Sequence, residues 1–75
     1  MPRLPRVTGR ELARALERAE FSTIRVRGDH AWMVHPGTDG RASVPLSRRT
    51  LPVGTIAAIL EEAGLTGDDL RQLLK

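Results

Sequence analysis

The apolar spacing of this chain changes period twice, and that change limits what it can fold into. Leu12, Ala15, Leu16 and Ala19 recur at helical spacing. From Phe21 to Leu46 the apolar residues fall largely at every second position, the spacing of strands. Ile56, Ile59, Leu60 and Ala63 then return to i, i+3, i+4, i+7. A chain of 75 residues has room for only one core. The helical and strand segments must share it, so the expected unit is a single domain over 1–75.

Local signals place the elements. Pro2 and Pro5 keep residues 1–7 out of regular structure, and this stretch reads as an N-terminal tail. Thr8 and Glu11 form a capping box ahead of a helix over about 9–20. Ile24 and Val26 alternate with Thr23, Arg25 and Arg27 in a first strand. Gly28-Asp29 is a turn signal, and His30 to His35 a second strand. Pro36-Gly37-Thr38-Asp39-Gly40 is a loop of turn formers. Arg41 to Leu46 alternates again, and Pro45, lacking an amide donor, marks an edge near the end of this third strand. Pro52 suits the first turn of a second helix, and Gly64 its C-terminal stop. Thr66-Gly67-Asp68-Asp69 caps a last short helix carrying Leu70, Leu73 and Leu74. The order is α-β-β-β-α-α, an α+β class. Short connections imply a three-stranded antiparallel sheet, with helices covering one face and the other left for a ligand.

Composition narrows the chemistry. Without cysteine there is no disulfide framework and no thiolate metal site, which points to an intracellular, cytoplasmic protein. Two histidines with no acidic cluster beside them make a poor zinc site, so no metal and no cofactor are expected. No apolar run reaches membrane-spanning length, and Met1 to Arg6 lacks the apolar centre of a signal peptide. Ten arginines stand against five acids in residues 1–50, whereas 51–75 carry a small acidic excess. A basic front suits a polyanion or an acidic protein as partner.

His30 is the leading candidate for chemistry, because it follows a glycine turn at the start of a strand. Taken alone, a histidine there is more often a solvated turn residue. His35, before Pro36, reads as structural, bonded to a loop backbone group, with a supporting phosphate contact as the lesser reading. Arg10, Arg14 and Arg18 line one side of the first helix, by default a solvated face. Gly54 lowers helix propensity near the start of the second helix, either for close approach of a phosphate or partner backbone or for close helix–sheet packing.

Gly28-Asp29-His30, His35-Pro36, Gly40-Arg41, Val44-Pro45, and Gly54-Thr55-Ile56 through Ile59-Leu60 to Ala63-Gly64-Leu65 together resemble the HicA toxin family. The resemblance runs from about residue 8 to 74. It implies a fold similar to the double-stranded-RNA-binding domain and a metal-independent endoribonuclease, an mRNA interferase, acting on messenger RNA. It also implies His30 as the catalytic residue and a HicB-like antitoxin that blocks the site. Two positions depart from the family pattern. Asp29 stands where serine is usual, and a carboxylate there either stabilises imidazolium or repels phosphate. Ser47 stands where many members carry a second histidine.

RNA carries its own nucleophile, the 2′-hydroxyl. A histidine with the ordinary pKa of about 6.5 is largely neutral at physiological pH and suits removal of that proton. Such a general base contributes about 10²–10⁴-fold. The expected products carry 2′,3′-cyclic phosphate and 5′-hydroxyl ends. Arg25, Arg27 and Arg41 alternate onto the open sheet face, and Arg48-Arg49 follows the third strand; these are the expected phosphate contacts, with Gly28 at the turn. Strand parity puts His30, Trp32 and Val34 on one face and Ala31, Met33 and His35 on the other. Trp32 is expected outward as a stacking platform and Met33 inward. Asp29 and Ser47 are supporting positions. The alternatives are a non-catalytic RNA-binding module of the same fold and an arginine-rich protein-interaction domain.

Overall fold

The computed structural model describes residues 4–75. Helix α1 spans Gly9–Arg18, strands β1, β2 and β3 span Ser22–Arg27, His30–Val34 and Arg41–Pro45, and helices α2 and α3 span Val53–Ala63 and Gly67–Leu73. The three strands form one antiparallel sheet in the order β1-β2-β3. This is the α-β-β-β-α-α order, a small α+β fold with helices on one sheet face.

Helices α1 and α3 start where the sequence supplies a side-chain oxygen for their free amides, whereas α2 starts at Pro52 without a side-chain cap. The Thr8 hydroxyl accepts from the Glu11 amide, and the Glu11 carboxylate accepts from the Thr8 amide. Thr66 and Asp69 repeat the arrangement at α3. Helix α2 ends on Gly64 at φ 76°, a left-handed conformation that glycine adopts without steric cost. Helix α1 stops earlier than its apolar stripe suggests: Glu20 takes φ 73°, which turns the chain into β1.

Among the described residues the core is wholly apolar. Leu12, Ala15 and Leu16 of α1, Ile56, Ile59, Leu60 and Ala63 of α2, and Leu70 of α3 are buried with Ala31, Met33, Ala42 and Val44 of the sheet. Residues 4–7 carry no regular element, yet Val7 is a core residue and accepts the Leu51 amide at 2.8 Å. The rest of the N-terminal tail reading, residues 1–3, lies outside the described residues. A bridge between Thr8 and Thr50 continues this seam. Gly9 lies against the end of β3 so closely that a Cβ would sit 1.6 Å from the Pro45 carbonyl oxygen. Gly54, by contrast, is exposed with open space around it, so close helix–sheet packing is not its role.

The helices lie over the β3 side of the sheet: α1 and α2 both pack on β3. Ile24 and Val26 alternate as expected of a strand, but neither is covered. The ladder also shifts register between Thr23 and Arg25, a bulge at Ile24. Among the described residues no helix is long and apolar enough to cross a membrane.

Candidate nucleic-acid interface

The β1–β2 turn presents the leading candidate. Arg27 pairs with His30 across the ladder, leaving Gly28 and Asp29 as a two-residue loop. Gly28 has φ 61° while Asp29 does not enter the left-handed region. Positive φ only at the first central position is the pattern of a type II′ turn, whose twist matches the flanking strands. The Leu46 amide donates to the Asp29 carbonyl, which fastens the turn to the end of β3.

His30 begins β2 on the open face. Its ring is exposed, and Nδ1 lies 3.0 Å from Asp29 Oδ1. A carboxylate oxygen only accepts, so Nδ1 carries the proton in this contact. The neutral ring then keeps its lone pair on Nε2. The contact with Asp29 thus favours the tautomer that carries the proton on Nδ1.

Register defines the rest of the face. Residues paired directly across an antiparallel ladder share a side of the sheet. Arg27, His30 and Pro45 form one row, Arg25, Trp32 and Ser43 the next, and Arg41 with Val34 the last. Trp32 is 39% exposed, and its ring centroid lies 6.1 Å from that of His30. Ala31 and Met33 are buried on the opposite face, so the strand parity resolves with His30 and Trp32 outward.

The structure brings Arg25, Arg27 and Trp32 together around His30. Arg41 is exposed on the same face but pairs at the far end of β2, four residues or about 13 Å along the strand. Arg48 and Arg49 are exposed on the connection that leaves β3 at the His30 end. The Ser47 hydroxyl accepts the Arg49 amide at 2.9 Å and so shapes this connection. Gly28 contributes the turn.

His35 takes a structural position. Its Nδ1 accepts the Gly37 amide at 3.0 Å, and its ring stands edge-on to buried Phe21, with centroids 5.3 Å apart. Arg10, Arg14 and Arg18 are exposed, as the solvated-stripe reading has them, and Arg18 also donates to the Leu73 and Lys75 carbonyls at 2.7 and 3.2 Å. There it satisfies free carbonyls at the end of α3. Among the described residues, no group of three or more His, Asp or Glu side chains is placed to hold a metal ion.

The fold and site together define a small α+β domain that presents one histidine on an open, arginine-bearing sheet face. Residues 9–65 match the family model described as the HicA toxin of bacterial toxin–antitoxin systems. The chain belongs to that family. No curated protein matches it.

Proposed function

We propose that this chain is a metal-independent endoribonuclease toxin that cleaves messenger RNA in the cytoplasm and is neutralised by a HicB-like antitoxin. The observation that carries the reading is His30: an exposed imidazole held through Nδ1 by Asp29 Oδ1 at 3.0 Å on the open sheet face. Nε2 takes the proton of a ribose 2′-hydroxyl. The 2′-oxygen then bonds to phosphorus, the bond to the 5′-oxygen breaks, and the departing oxygen takes a proton from water. Arg25 and Arg27 stabilise the charge that builds on the phosphoryl oxygens. Trp32 supplies a face on which a base can stack. Arg48 and Arg49 extend the basic track past β3, and Arg41 meets RNA farther along the strand.

The test is controlled expression of the wild type beside His30→Ala. The wild type is expected to halt growth and deplete messenger RNA, and the variant to do neither while still binding RNA. Growth arrest of equal depth by both proteins contradicts the assignment of His30.

A second reading, a non-catalytic RNA-binding module, draws on Ser47. Its hydroxyl is engaged with the Arg49 amide, which leaves His30 as the one titratable ring at that end of the sheet face. Under that reading the wild type binds RNA and never cuts it.

A further inference from the structure

Strand β1 has one free side. The order β1-β2-β3 gives it a single ladder neighbour, and all six of its residues are exposed. Ile24 and Val26 are 65% and 58% exposed, the two most exposed large apolar side chains of the described residues. Hydrogen-bonded and non-hydrogen-bonded pairs alternate along an antiparallel ladder. Arg27 and His30 close the two-residue turn, so Val26 falls at a non-hydrogen-bonded pair. Its N–H and C=O therefore point away from β2, toward the free edge. Such an edge is a template for another strand unless it is blocked. The bulge at Ile24 restricts the regular edge to Arg25–Arg27, so an added strand is short and takes its selectivity from side chains.

The two sides of this edge ask for different chemistry. Arg25 and Arg27 lie on the His30 face, and Val26 lies on the other with Ala31 and Val44. A second copy of this chain would set arginine against arginine, and like charges directly opposite are unfavourable. RNA offers neither a ladder of amides nor apolar groups for Ile24 and Val26. An extended polypeptide with acidic residues on one side and apolar residues on the other satisfies the whole edge.

We propose that the antitoxin docks a short extended segment along β1, its acidic side chains toward Arg25 and Arg27 and its apolar ones toward Val26 and Ile24. This rests on the family's antitoxin being the partner and on Arg25 and Arg27 being the phosphate contacts. Neutralisation then follows from occupying the arginines beside His30, with no need to touch the imidazole.

The test uses the full chain and the HicB-like antitoxin proposed as its partner. Amide hydrogen exchange at Val26 is expected to slow at least tenfold in the complex. The double variant Ile24→Lys/Val26→Lys, its folding checked by exchange at core amides, is expected to weaken the complex at least tenfold without reducing RNA cleavage. A complex that leaves Val26 exchange unchanged, or that the double variant binds equally well, overturns the proposal and leaves the antitoxin reading intact. Failure of the two proteins to associate at all sinks both. Protection of Val26 in the free chain through self-association, or by a 12-nucleotide RNA to the same degree, also overturns it.

Discussion

Asp29 Oδ1 lies 3.0 Å from His30 Nδ1, and the two residues are adjacent in sequence at the mouth of a type II′ turn. Under the proposed function the carboxylate holds the imidazole through its Nδ1–H, which gives Asp29 a positioning role. Asp29→Ala is expected to lower kcat by about tenfold, or about 1.4 kcal/mol of barrier, with KM little changed. Asp29→Asn, which keeps an acceptor oxygen, is expected to recover part of the loss. Single-turnover cleavage of a short RNA separates these effects. A rise in KM alone, with kcat intact, would assign Asp29 to RNA binding instead.

Arg27 shares the cross-strand row of His30, and Arg25 lies in the next row. If they neutralise phosphates, each removal flattens the salt dependence of single-strand binding by about 0.7 in log K against log salt. Arg25→Ala/Arg27→Ala is therefore expected to weaken binding at low salt and to reduce the slope. Arg14→Ala, on the exposed side of α1, should leave the slope unchanged. Fluorescence anisotropy across a salt series reads both quantities.

The α1 capping box carries a pH signature. The Glu11 carboxyl is held below its ordinary value of 4.5, first by the Thr8 amide and then by the Thr8 hydroxyl. A depressed carboxyl contributes stability above its unfolded value and loses it as the pH falls through the folded one. Glu11→Gln is expected to destabilise the chain at pH 7 and to match the wild type in strong acid. Thr8→Ala is expected to cost about 1 kcal/mol. Urea denaturation at pH 7 and below pH 4 checks both.

Two backbone positions act in opposite directions. Gly9 has no room for a side chain beside the Pro45 carbonyl, so Gly9→Ala is expected to cost about 3 kcal/mol or more as β3 is pushed away. Glu20 holds a left-handed conformation that costs an L-residue roughly 1–2 kcal/mol. Glu20→Gly is expected to raise the thermal midpoint, with part of the gain offset by glycine's greater freedom in the unfolded chain.

The element order was legible because its signals are local. Thr8 with Glu11, Thr66 with Asp69, and Gly64 each act within one turn of helix. Parity likewise tied Trp32 to His30. What parity could not show was whether a helix reaches over the edge strand, and none covers Ile24 and Val26. The partners of Arg18, the Leu73 and Lys75 carbonyls, were hidden because they lie 55 and 57 residues away. Gly9 was hidden for the same reason: the backbone it meets belongs to the end of β3. At the candidate site, the sequence named His30 and its arginines, but the Asp29 contact depends on the turn geometry.

Under the proposed function, His30 removes a ribose proton in a cleavage that needs no metal. The most direct measurement is end-group analysis of RNA cut by the purified chain in EDTA, with His30→Ala in parallel. The expected result is 2′,3′-cyclic phosphate and 5′-hydroxyl ends from the wild type and no cutting by the variant. Products with 3′-hydroxyl ends, or equal cleavage by His30→Ala, would contradict that role for His30.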